Sequence, residues 1–117
     1  MFGLKQEHID AINQCFSMYP SIEQVIVYGS RAMGSHRDGS DIDLTIEGQL
    51  VHRDLLRLEN QIDDLLLPYK IDLSLKQQIS NPDLIDHIHR VGKVFYARES
   101  ETVLREPPSD YSAQLGE

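Results

Sequence analysis

The sequence predicts an α/β (α+β) domain, a small mixed β-sheet with helices packed on one side. Three observations point there. Helix-period and strand-period apolar patterns succeed one another along the chain. Its 117 residues fit one domain large enough for a core. Three Asp residues, Asp41, Asp43 and Asp72, alternate with apolar neighbours in strand-like runs, so one sheet face carries carboxylates while helices cover the other.

The elements follow in order. Residues of about 5 to 18 place Ile9, Ile12, Cys15 and Phe16 at helical spacing, and Tyr19, Pro20 and Ser21 end that helix before a strand over 24–28. Gly29 and Ser30 close the strand and lead into a short helix. The polar stretch 35–40 then connects to a second strand at 42–47, which stops at Glu47 and Gly48. Leu55, Leu58, Ile62 and Leu65 repeat at three and four within a helix over 51–66 that should cover the sheet. Pro68 separates it from a third strand at about 70–75. Asn81, Pro82 and Asp83 read as N-cap, first helical position and a dipole-compatible acid, opening a helix that runs to about Val91. Leu84, Ile85 and Ile88 are its apolar face, Gly92 is its stop, and Val94, Phe95 and Tyr96 form an edge strand or a docking segment. Beyond Arg98 the chain is mostly polar. The expected organisation is therefore a domain over 1–97 and a flexible or partner-ordered tail over 98–117.

The chemistry sits on the polar face. In the run from Asp41 to Ile46 the period of two sends Ile42, Leu44 and Ile46 one way and Asp41, Asp43 and Thr45 the other. Two carboxylates about 4 Å apart repel by about 4 kcal/mol at an effective dielectric near 20, so a site that keeps both ionised supplies a cation. Hard oxygen ligands suit Mg2+ or Mn2+. Asp72, flanked by Ile71 and Leu73, points the same way as the pair. Gly29 and Ser30 stand at a strand end, where a residue without a side chain lets backbone N–H groups approach phosphate oxygens and Ser30 adds a hydroxyl. Arg31 and Arg37 are the nearest fixed positive charges. Tyr28, just before the Gly-Ser pair, reads as strand packing and stays outside the expected site.

Gly29-Ser30, ten intervening residues and Asp41-x-Asp43 resemble the G-S-x10-D-x-D signature of the polymerase-β-like nucleotidyltransferase superfamily, and residues 22 to about 97 carry the likeness. Gly29, Ser30, Arg31, Ala32, Gly34, Ser40, Asp41, Asp43 and Leu44 are in register with the pattern of its minimal, stand-alone (MNT) branch. Either short motif alone would be weak; together, at this spacing, they are specific. The resemblance implies the polymerase-β-like nucleotidyltransferase fold. It implies Asp41, Asp43 and Asp72 as catalytic metal ligands for two Mg2+ ions, and Gly29, Ser30, Arg31 and Ser40 as nucleotide contacts. It implies transfer of AMP from ATP to a hydroxyl, with release of pyrophosphate. Minimal members are often antitoxins paired in a hetero-oligomer with a HEPN-domain toxin, whose tyrosine they adenylylate. Two alternatives stay open: an antitoxin that acts by contact alone, and transfer to a small molecule of aminoglycoside type.

Composition narrows the field further. With 19 acidic against 11 basic residues and a net charge of -8, the chain offers no basic stripe for direct nucleic-acid binding. A partner with basic patches is expected. Cys15 is the lone cysteine, which excludes an internal disulfide and suits a reduced, cytoplasmic setting. No run is long enough to cross a bilayer, so no membrane role is expected. His87 and His89 point about 200° apart on a helix and are poor candidates for one metal site. Neither of the other common phosphate-binding glycine loops occurs.

Overall fold

The computed structural model describes residues 2–35 and 41–98. Gln6–Ser17 forms α1, because Ile9, Ile12, Cys15 and Phe16 give it one apolar stripe to bury. Ile22–Tyr28 runs on as β1. Its Val25 and Val27 enter the main core, whereas Ile26, also buried, belongs to the opposite face. Ser30–Met33 adds a single helical turn, α2, closed by Gly34 in the left-handed region. Ile42–Gly48 is β2 and His52–Asp63 is α3, whose Leu55, Leu58 and Ile62 are buried. Ile71–Leu75 forms β3, and a 3-10 turn over Lys76–Gln78 follows. Pro82–Val91 is α4, with the Asn81 side chain accepting from the Asp83 and Leu84 amides, as the sequence predicts. Lys93–Ala97 is β4.

The four strands form one mixed sheet in the order β3-β2-β1-β4. β1 lies antiparallel to both β2 and β4, while β2 and β3 are parallel, and α3 spans the crossover that a parallel pair requires. The stretch around Val94–Tyr96 is thus an edge strand. α1 and α3 cover one face of the sheet, closing a core in which Ile12, Phe16, Ile22, Val25, Val27, Ile42, Leu44, Ile46 and Leu58 have almost no exposed surface. Phe95 of β4 meets Phe16 edge-on, with ring centroids 6.5 Å apart.

The fold class is the expected one, with a single correction. Helices were expected on one side of the sheet, yet α4 packs on the other, against β1. Ile88 is buried there, outside the main core. At the end of α4 the backbone comes so close to the sheet that a Cβ on Gly92 would stand 2.7 Å from the Ile26 side chain. The physical reason is that β1 buries both faces: its run of Val25, Ile26 and Val27 leaves Ile26 as an apolar spot on the carboxylate side, and α4 covers it. Of the tail expected over 98–117, only Arg98 is described, its amide donating to the Glu23 carbonyl at 3.0 Å, and the rest lies outside the described residues. Among the described residues no helix is long and apolar enough to cross a membrane.

Candidate active site

Register brings the polar residues together. Asp43 of β2 is opposite Tyr28 of β1 on one side and Asp72 of β3 on the other, so the three form a row across the sheet. The next row on the same face is Ile26, Thr45 and Ser74. Thr45 is completely buried, and Ser74 Oγ donates to Thr45 Oγ1 at 3.0 Å, which ties β2 to β3 beneath the carboxylates. Asp41 stands exposed one residue before β2, near enough to Asp43 for its charge to act there. The row is confined to this end of the sheet, because β4 pairs with β1 only as far as Val27.

Gly29 ends β1 at φ 75° and ψ -156°, a conformation open essentially to glycine alone. The reason it must be glycine is also spatial: a Cβ here would stand 2.5 Å from Asp43 Oδ2. The bare backbone of the turn and the carboxylate of the neighbouring strand are therefore in direct contact. The Gly29 amide donates to Nε2 of His87 at 3.2 Å, and that imidazole meets the Tyr28 ring edge-on at 6.3 Å. α4 thus reaches the site through His87.

Electrostatics mark Asp43 as the focus. Its carboxyl is pushed up from the ordinary value first by burial and then by the charges of Asp72 and Asp41. Burial also raises the Tyr28 phenol; a hydrogen bond with Ser74 opposes that, and Asp43 and Asp72 add to it. A half-buried carboxylate made harder to ionise by two neighbouring carboxylates is one that a hard divalent cation would relieve. Among the described residues no three His, Cys, Asp or Glu side chains converge closely enough to hold an ion unaided. That pattern fits a cation that takes one or two carboxylates and completes its shell with water and substrate phosphate.

The expected site residues fare unequally. Asp43 and Asp72 stand side by side, with Asp41 at the rim and Gly29 against Asp43. Ser30 is half-buried at the start of α2. Arg31 is placed differently from the expectation: its side chain is buried, with Nη1 donating to the Phe2 carbonyl at 3.1 Å and the guanidinium 5.2 Å over the Tyr69 ring. An arginine on so short a helix can turn inward, and here it ties the N-terminal segment to the start of β3. Ser40 and Arg37 lie outside the described residues.

Sequence reasoning put Thr45 on the carboxylate face without giving it a role, set Tyr28 aside as packing, and passed over Ser74 and the place of His87. Ser74 could have been found, since the alternation that puts Thr45 beside Asp43 also puts Ser74 beside Asp72. Tyr28 required the β1–β2 register. For His87 the signal was faint: Leu84, His87, Ile88 and Val91 fall at i, i+3, i+4 and i+7, which puts the histidine on the inward stripe of α4.

Comparison with known proteins accords with this geometry. The family model described as "Polymerase beta, Nucleotidyltransferase" matches residues 10–101. Among solved structures, a toxin–antitoxin complex with AMP-PNP is similar at a TM-score of 0.61 and 19% identity, over 84% of this chain and 77% of that one. A tri-AMPylated Shewanella oneidensis HEPN toxin in complex with its MNT antitoxin gives a TM-score of 0.59 and 17% identity, over 81% and 74%. The toxin–antitoxin pair MntA–HepT gives 0.59 and 18%, over 80% and 74%. At these identities the likeness is one of fold. No curated protein sequence matches the chain.

Proposed function

Because this chain belongs to the polymerase beta nucleotidyltransferase family, we propose that it transfers AMP from Mg2+-bound ATP to a hydroxyl, the acceptor being a tyrosine of a HEPN-domain toxin that it thereby restrains as the antitoxin. One observation carries the reading: Asp43 lies against the glycine-only turn at Gly29, with Asp72 beside it in the parallel register. A strand-end turn with bare backbone is a phosphate seat, and carboxylates adjoining it are where metal-bound phosphate belongs.

Asp41 and Asp43 are the residues to hold Mg2+, or Mn2+ in its place, with Asp72 completing the cluster. Bound there, two such ions would neutralise the charge that builds on the entering and leaving oxygens. The chain's own contribution is position. The turn that Gly29 permits, and the Ser30 that follows it, seat the phosphates. The acceptor oxygen bonds to the α-phosphorus, the bond from that phosphorus to the β-phosphate oxygen breaks, and pyrophosphate leaves. The hydroxyl proton passes to the exposed Asp72 carboxylate. Support for the acceptor class comes from the similar solved structures, one a toxin–antitoxin complex with AMP-PNP and one an AMPylated HEPN toxin with its MNT antitoxin. The net charge of -8 suits a partner with basic patches.

The test is the intact mass of a HEPN-domain partner after incubation with this protein, ATP and Mg2+, beside an Asp41→Ala/Asp43→Ala control. Added adenylate that disappears in the control is the expected result. A stable complex without added mass would replace the proposal with restraint by contact. Absence of any complex would redirect the search to small hydroxylated acceptors.

A further inference from the structure

We propose that His87 is a positioning residue of this site, holding the Gly29 peptide in the orientation on which the Gly29–Asp43 contact depends. The argument begins with the ladder. β1 pairs with β2 as far as Tyr28 and with β4 only as far as Val27, so the Gly29 amide lies beyond both rows of strand hydrogen bonds. A half-buried amide there needs another acceptor. His87 Nε2 provides one at 3.2 Å, although the two residues are 58 positions apart in sequence. Since the amide donates, Nε2 carries no proton and the imidazole N–H is on Nδ1.

The histidine is itself held from two sides. Its ring stands edge-on to Tyr28, and the next residue, Ile88, is buried against the sheet. The close approach of Gly92 to Ile26 leaves α4 little room to slide. A rigid helix therefore presents a fixed acceptor to the one peptide whose rotation would move the turn away from Asp43. A further consequence concerns the phosphates. With its amide engaged by His87, Gly29 contributes shape rather than a donor, and phosphate contacts at this turn fall to Ser30 and the amides after it.

For its activity arm the proposal rests on the nucleotidyl-transfer reading; its spectroscopic arm does not. In uniformly 15N-labelled full-length protein, a scalar coupling across the hydrogen bond should link the Gly29 amide nitrogen to His87 Nε2, and it should persist with AMP-PNP and Mg2+ added. Its absence, or its loss on adding the nucleotide, would overturn the proposal; the latter would make His87 a removable cap.

Two variants separate acceptor from packing. His87→Phe fills the space without an acceptor and is expected to lower kcat roughly tenfold with little change in the nucleotide KM. His87→Gln offers a carbonyl oxygen and should remain within about threefold of the parent. The reverse order, or equal losses at equal melting temperature, would assign His87 to packing alone. If the parent transfers no nucleotide, the functional reading fails while the coupling still decides the role of His87.

Discussion

Replacing Gly29 by Ala tests the link between backbone and carboxylate most directly. Two separable penalties follow from the structure. The first is conformational: at φ 75° and ψ -156° an L-residue is strained by about 1–3 kcal/mol. In a domain of this size that corresponds to a drop of about 5–15 °C in melting temperature. The second is steric. The new Cβ would meet Asp43 Oδ2 at 2.5 Å, where ordinary contact begins at 3.4 Å, so the carboxylate must retreat by close to the difference. Misplacing a reacting group by about 1 Å can lower turnover about a hundredfold. Gly34→Ala is the matched control. Its φ is also positive, at 77°, but a Cβ there meets nothing within 4 Å among the described residues. It should share a modest stability loss of about 1–2 kcal/mol and keep its transfer activity. The assay pairs thermal melts with AMP transfer for both variants. Equal activity of Gly29→Ala and Gly34→Ala would refute the reasoning, because it would show that the Gly29–Asp43 contact has no bearing on the chemistry.

Three further outcomes are expected. Asp43→Asn should abolish transfer yet stabilise the metal-free protein near neutral pH: an acid whose folded pKa is raised adds stability below its unfolded value, near 3.8, and that contribution is lost as pH climbs through the folded value. The difference in melting temperature between variant and parent should therefore grow from pH 3 towards neutrality, and Mg2+ should narrow it by binding only the parent; a pH-independent difference would contradict the assignment. Thr45→Val removes the 3.0 Å acceptor of the half-buried Ser74 hydroxyl and should cost about 1 kcal/mol in chemical denaturation, with an unchanged midpoint counting against the β2–β3 tie. Asn81→Ala removes the acceptor for the Asp83 and Leu84 amides and should cost about 1 kcal/mol, seen as faster hydrogen exchange along α4 than along α3.

What the sequence made legible were features that depend on neighbours along the chain. Asn81 and Pro82 announced the start of α4 because an N-cap and a proline act on amides within one turn. Asp41, Asp43 and Asp72 were placed on one face by alternation alone, and the facing of Asp43 and Asp72 then followed from a parallel register that α3 makes possible. The misses depend on where an element docks. Arg31 was assigned to phosphate as the nearest positive charge, but one helical turn decides whether that side chain faces the site or the Tyr69 ring, and no spacing rule fixes so short a helix. His87 depends on α4 crossing the carboxylate face, which the apolar stripe of α4 permits on either side of the sheet.

That crossing also bears on how so small a chain can run the proposed reaction. α4 covers the β1 side of the polar face, at Ile26 and Tyr28, whereas Asp72 on the edge strand β3 is exposed. The carboxylates do not form a closed cage among the described residues. A cation held there would share its shell with substrate phosphate, and β3, as the edge strand that carries the exposed Asp72, is the side from which the proposed acceptor would reach it. A macromolecular acceptor brings its own wall, excluding water as it docks, whereas a small acceptor leaves the site wet. The exposure of Asp72 at the β3 edge suits the proposed protein acceptor, which would close that edge as it docks. The order of addition provides the check: transfer to a partner docked across β3 should be lost when a bulky side chain is installed at Ser74, while Mg2+-dependent binding of AMP-PNP at Asp41 and Asp43 persists. Loss of both together would place the nucleotide, and not the acceptor, on that flank.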